Sequence, residues 1–424
     1  MDYTGIILVG ANPAGGRRPF CQITKGEYKM KKILSVTMAA AMAVSLAACG
    51  STGSSSAATD DTTTSVATSE AGDATAEGAS SIGGIAQVCD VGTIDDESFN
   101  QGCWDAVEAY GEANGIDVNY YLPPDDPSDE DRQSMIRQAV SDGYDTVVCV
   151  GYLYGSSIDW AAAEYPDVNF IGVDITAGDI NAEGNIPSNV YCITFKEEQA
   201  GYLAGYAAVK DGFTNLGFLG GQAVPAVIRY GYGFVQGADA AAAELGTNIS
   251  INYWYGNQFF GDANITAKME SWYQGGTEVV FACGCGIYTS AVEAAVKYDG
   301  KVIGVDVDQR YVGDKGVADG AYSYNPFLTS AMKGLGVAVT DALDHITAGT
   351  WDTIAGTNGN YGLEEGDYVG LPTEEASWGF TTFTQDEYTA LLEKIRSGEI
   401  TVDNSSDAAT TPTTSEFTTV DYQQ

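Results

Sequence analysis

Between residue 83 and about residue 402, short apolar runs alternate with longer amphipathic stretches, the rhythm of a parallel sheet with crossover helices. The runs lie at 85–89, 117–122, 145–150, 169–173, 190–195, 216–219, 251–255, 278–283 and 302–305. Nine such runs exceed what one small parallel sheet needs and predict two. Between the fifth and the sixth, "KEEQAGYLAGYAAVK" reads as a helix rich in small residues that carries the chain from one lobe to the next. After Pro326, "FLTSAMKGLGVAV" reads as a further helix with proline in its first turn and Lys333 inside its apolar stretch. A lysine there is either functional or snorkels to the surface along its aliphatic stem. No repeat of fixed short period runs through the chain.

The flanks have a different pattern. From Met30 the chain reads "MKKILSVTMAAAMAVSLAACG", two lysines and then an apolar run of signal-peptide length. It ends in Leu46-Ala47-Ala48-Cys49, which resembles the bacterial lipobox, whose cysteine becomes the acylated first residue. Residues 1–29 read as an over-extended start, 30–48 as a lipoprotein signal peptide, and 49–82 as a disordered tether of Ser, Thr, Ala, Gly, Asp and Glu. The Thr- and Ser-rich stretch 403–424 reads as a disordered tail. This organisation predicts a protein on the extracellular face of the cell membrane, anchored by lipid on Cys49.

Charge narrows the partners. The chain carries a net charge of -39, and its first 48 residues hold six of the 19 basic residues but only Asp2 and Glu27 of the acids. The rest of the chain is still more acidic and would repel nucleic acid, so no nucleic-acid partner is expected. The eight cysteines are scattered through apolar runs, and Cys283-Gly284-Cys285 has no second pair to complete a metal site. With His345 the one histidine, neither a metal nor a cofactor is expected, and triad chemistry is disfavoured.

Ligands in open α/β sheets bind outside the carboxyl ends of the strands. Three runs end there on an aspartate: Asp90, Asp174 and Asp306. One such residue is commonly a helix cap; three along one sheet edge point to a ligand. Phe99, between Ser98 and Asn100, comes after the first run and either staples the next helix or faces the ligand. In the other lobe "YWYGNQFFGDANITAK" puts Phe259 and Phe260 past a strand. Aromatics from opposing lobes would clamp a flat ring.

At these residues the chain resembles the basic membrane protein family of substrate-binding lipoproteins, whose best-understood members bind purine nucleosides for ABC importers. The marks are "DVGTIDDESFNQGCW", "AAAEYPDVNFIGVD", "GGQAVPAVIRYGYGFVQG", "NQFFGDA", "GVDVDQ" and "LTSAMKG", in that order between residues 83 and 402. The resemblance implies a type I periplasmic-binding-protein fold: two Rossmann-like lobes, a hinge of three crossings and a central ligand cleft. Lobe 1 would hold 83–195 and about 324–352, and lobe 2 would hold 196–323 and about 353–402. It further implies that Phe99 and Phe260 sandwich the base, Phe260 being chosen over Phe259 because Asp262 comes after it at the family's spacing. Asp90 and the turn from Asn100 to Trp104 would lie at the base edge, with Trp104 packing beneath the clamp or touching the ligand. Asp174, Asp306 and Lys333 would hold the ribose hydroxyls, with Gly284 close by. ABC permease subunits are the implied protein partners. "GYLYGSS" and "ACGCG" depart from the family's commoner turns and bear on base preference.

Other readings compete. "CDVGTIDD" has some likeness to the calcium loop of nucleoside hydrolases but lacks its earlier aspartate and is one residue short, so an enzyme is not expected. A ligand sensor would share the tether and the lipobox. A sugar or furanosyl ligand would also pair aromatics with aspartates, whereas a nucleotide's phosphate would meet three carboxylates against Lys333.

Overall fold

The computed structural model describes residues 81–124 and 127–423. The expected start, signal peptide, Cys49 and nearly all of the tether lie outside them.

The first sheet is built from β1 (Gly84–Cys89), β2 (Asp117–Tyr121), β3 (Thr146–Val150), β4 (Asn169–Val173) and β5 (Val190–Phe195). Helices α1 (Phe99–Asn114), α2 (Asp129–Ser141), α3 (Gly155–Glu164) and the short α4 (Ala177–Ile180) connect them. Helix α5 (Glu197–Lys210) then leads to a second sheet of β6 (Asn215–Gly220), β7 (Ile249–Tyr255), β8 (Val279–Cys283), β9 (Lys301–Asp306) and β10 (Phe327–Lys333). Between these strands lie α6 (Pro225–Leu245), α7 (Ala263–Gln274), α8 (Tyr288–Lys297) and α9 (Arg310–Ala318). The chain returns through α10 (Leu335–Thr347), which packs on α1, and β11 (Thr357–Tyr361), which joins the first sheet beside β5. It crosses back to β12 (Val369–Gly370), α11 (Gln385–Arg396) and β13 (Thr418–Tyr422) in the second sheet.

The strand orders are β11-β5-β4-β3-β1-β2 and β12-β10-β9-β8-β6-β7-β13, parallel throughout except for the β10–β12 pair. Central strands such as β1, β3 and β8 are buried along their whole length, as strands covered on both faces must be. The polypeptide passes between the sheets three times: through α5, between β10 and α10, and between β11 and β12. Helices α5 and α6 pack backbone to backbone, because Gly201 and Gly205 lie against the Tyr230 and Phe234 carbonyls and Gly233 and Gly237 against those of Glu198 and Tyr202.

All nine expected runs form strands, and "KEEQAGYLAGYAAVK" forms the expected crossing helix. Three expectations need correction. The stretch after Pro326 is not a helix: Phe327–Lys333 pairs with β9 as a strand, and the helix begins only after Gly334. The lobe limits shift accordingly, since β10 belongs to the second sheet and β11 to the first. Finally, the segment 403–423 is not free of structure, because β13 extends the second sheet along β7 from Thr418↔Ile249 to Tyr422↔Tyr253.

Phe417 and Val420 pack against the core, and Gln423 accepts a hydrogen bond from the Trp272 indole at 3.2 Å. Deleting 403–424 is therefore expected to cost about 2 kcal/mol of buried apolar area and edge pairing. A melting curve should move down by about 5 °C; an unstructured tail would leave it in place.

Candidate functional site

The carboxyl ends of β1, β3, β4, β8, β9 and β10 converge on one cleft of about 680 Å3, mouth included. Asp90, Phe99, Asn100, Asp174, Gly284, Asp306 and Lys333, expected on three different grounds, all line it. It is also walled by Val224–Val227, Tyr230, Phe259, Cys283 and Cys285.

Its centre is Lys333, the last residue of β10, whose side chain is 2 % exposed. The ammonium is bonded to Asp174 Oδ2 and lies 3.7 Å from both Glu197 Oε1 and Asp306 Oδ1. Three rings complete the cage, with centroids at 4.5 Å (Phe99), 5.6 Å (Phe195) and 5.9 Å (Tyr230). Burial alone would depress this lysine, but Asp174, Asp306 and Glu197 together hold it well above its ordinary value. Burial pushes Asp174 up to about 6, against the pull of Lys333, and raises Asp306 as well. Arg229 Nε donates to Glu197 Oε2 at 2.6 Å, so the centre holds three carboxylates against two cations.

Asp174 and Asp306 both have left-handed backbones, with φ of 60° and 68°. That conformation is uncommon outside glycine and gathers at functional sites. It ends each strand and turns the carboxylate toward Lys333. Asp174 Oδ1 and Asn100 Oδ1 are buried without a hydrogen-bond partner among the described residues. Acceptors in that state cost free energy until a donor arrives.

Asn100 is fixed by donating to the Val91 carbonyl at 2.8 Å and to Asp96 Oδ2 at 3.1 Å. Asp90 is less free than its place at the strand end implied: Arg132 Nε donates to its Oδ1 at 2.8 Å and the Leu153 amide to its Oδ2 at 3.2 Å. Gly284, at φ 153°, lies against Gly221 and the Phe259 ring, where a side chain would collide with both.

Two expected contacts are not brought to the cleft. Trp104 is buried in the core, edge-on to Tyr120 at 5.2 Å. Because α1 starts at Phe99, Trp104 points roughly 140° away from it around the helix. Phe260 is 57 % exposed and does not line the cleft; Phe259 does. A bridge between Phe260 and Gly286 makes the segment extended there, so the two neighbouring rings point opposite ways. Cys283 and Cys285 face the cleft as thiols that burial pushes well up, small walls and not nucleophiles.

The sequence reading missed Glu197, Arg229, Tyr230 and Ser98. The first two are charges on helices and look solvated in one dimension; only a fold places them at the lobe junction.

The chain matches the family model described as "ABC transporter substrate-binding protein PnrA-like" over residues 85–406. It is 31% identical over 382 residues to the "CD4+ T-cell-stimulating antigen" of Listeria innocua, covering 87% of this chain and 97% of that one. It is 29% identical over 325 residues to the "ABC transporter nucleoside-binding protein BmpA" of Lactococcus lactis subsp. cremoris, covering 74% and 87%. A solute-binding protein of an ABC transporter system from Aeropyrum pernix K1 superposes with a TM-score of 0.65 at 21% identity, over 77% of this chain and 94% of that one, which places the fold. With its two-lobed periplasmic-binding-protein architecture and a cleft at the strand ends, the chain belongs to the Bmp family of PnrA-like ABC transporter substrate-binding proteins.

Proposed function

We propose that this substrate-binding protein captures nucleosides, purines foremost, and presents them to an ABC permease. The observation that carries the reading is the pair of unpartnered acceptors, Asp174 Oδ1 and Asn100 Oδ1, on residues that line the same cleft as Phe99. A nucleoside answers both: ribose hydroxyls donate to the carboxylate, and a base offers N–H groups and a flat face to stack. Asp306 and Lys333 complete the ribose side, Gly284 approaches the ligand through its backbone, and Phe259 takes the place expected of Phe260. The excess of carboxylate over cation around Lys333 favours a neutral ligand over a phosphorylated one. Lipid attachment at Cys49, on the extracellular face, is the arrangement that fits this role.

Isothermal titration of residues 82–424 against inosine, adenosine, guanosine, cytidine, galactose and AMP tests the proposal. Binding of purine nucleosides with none of AMP is the expected result. Heat from galactose alone would replace the nucleoside by a sugar or furanosyl ligand.

Phe99→Ala is expected to weaken nucleoside binding by about 10- to 100-fold, the loss of one stacking face. Phe260→Ala, on an exposed ring, should change it by less than about threefold. Equal losses in the two would reinstate Phe260 as the second jaw.

A further inference from the structure

The loop between β1 and α1 reaches across to the other lobe at three points. Asp96 first makes it rigid: its Oδ1 accepts from the Ser98 amide at 2.9 Å and the Gln101 amide at 3.1 Å, and its Oδ2 from the Asn100 amide at 3.0 Å. Glu97, caught inside this cap, is held at φ 54°, an uncommon conformation for a glutamate. From there the Ser98 hydroxyl donates to Asp306 Oδ2 at 2.6 Å, and Gln309 Nε2 donates to the Glu97 carbonyl at 2.8 Å. The Tyr311 hydroxyl donates to the Glu97 carboxylate.

The receiving side is equally fixed. Gln309 is wholly buried; its Oε1 accepts from the Val305 amide at 3.0 Å and its own amide donates to Ser330 Oγ at 3.0 Å. Its Nε2 therefore points at the Glu97 carbonyl from a mount it shares with β9 and β10, the strands that carry Asp306 and Lys333. None of Glu97, Gln309 and Tyr311 lines the ligand cleft.

We propose that Glu97, Gln309 and Tyr311 form an interlobe clasp, two residues from Phe99 on one side and three from Asp306 on the other, that holds the lobes shut over the ligand and sets how long it stays. These are positioning residues: they act on Phe99 and Asp306 and do not touch the ligand. Contacts that hold closed lobes together, with ligand or without, slow escape more than they speed entry, so the clasp governs the dissociation rate. The proposal rests on the cleft being the ligand site, and not on the ligand being a nucleoside.

The test uses Tyr311→Phe, Glu97→Ala and their double variant, all at positions open enough to fold, with Glu97→Gln as the conservative variant that keeps an acceptor for Tyr311. Stopped-flow fluorescence with inosine, or with galactose should inosine be silent, is expected to show dissociation about tenfold faster in the double variant. Association should change by less than about twofold, and Glu97→Gln should restore most of the residence time. Small-angle scattering of the ligand-free protein reads the clasp independently, the double variant giving a larger radius of gyration than the parent. If no compound on the panel binds, the nucleoside proposal fails while the scattering still decides the clasp. Unchanged dissociation, or, where nothing binds, an unchanged radius, overturns it.

Discussion

Lys333→Met should lower the unfolding free energy at pH 7 by about 3–5 kcal/mol and abolish ligand binding, because it strips a buried cage of the cation that its carboxylates surround. Asp174, Asp306 and Glu197 all lie within ion-pair distance of that ammonium, and the remaining cation, Arg229, is bonded to Glu197. The loss should also depend on pH with a definite sign. Asp174 is raised to about 6 even with the lysine present, and Asp306 is raised as well. A carboxyl whose folded value exceeds its unfolded one, near 4, takes up its proton more readily when folded. Its favourable contribution is complete below about pH 4 and is lost as pH rises through the folded value. Without Lys333 these folded values move up further, so Lys333→Met should recover stability, relative to the parent, between pH 7 and pH 5. Urea midpoints at the two pH values measure this. A variant that loses still more on acidification would show that the carboxylates are not what the lysine neutralises.

Gly237→Ala is expected to cost about 3 kcal/mol or more, and Gly201→Ala combined with it to prevent folding, although each adds one methyl group. At Gly237 that methyl would fall on the Tyr202 carbonyl, and at Gly201 on the Tyr230 carbonyl; Gly205 and Gly233 meet Phe234 and Glu198 in the same way. Glycines four apart on each helix share a face, so the four form one contact with no side chain to yield. Forcing α5 and α6 apart would also pull Glu197 from Arg229 and so disturb the cage around Lys333, and ligand affinity should fall in any single variant that folds. Denaturant melts and titration of the single variants check both effects. Gly178→Ala is the control, since its added methyl would meet only the Thr176 hydroxyl, at 3.8 Å.

Most strands legible in the sequence are buried on both faces, where apolar runs must be continuous; β2 and β7, only partly buried, were legible from their β-branched and aromatic residues. The four that were not legible owe their form to a neighbour. Phe327–Lys333 is an apolar run that continues into α10, and length and hydrophobicity cannot separate strand from helix across the join at Gly334. Thr357–Tyr361 and Thr418–Tyr422 are half-solvated and polar, and Val369–Gly370 is two residues long; each is a strand only because an edge receives it. The site divides in the same way. Asp90, Asp174 and Asp306 could be read because strand ends declare themselves. Glu197 and Arg229 could not, since a buried ion pair between two helices has the sequence of two surface charges. Phe259 and Phe260 differ by one residue, and in extended backbone that decides which ring faces inward.

The left-handed backbones of Asp174 and Asp306 have an evolutionary consequence. Each holds an aspartate in a conformation that glycine adopts at no steric cost, a difference of about 1–3 kcal/mol for an ordinary residue. Losing either carboxylate alone would relieve that strain but leave the buried Lys333 ammonium short of a partner, the larger cost, so the aspartates and the lysine hold one another in place. In a lineage that no longer imports the ligand, Asp174, Asp306 and Lys333 should therefore change together and not singly, while the glycine contact between α5 and α6 persists for as long as the chain folds at all.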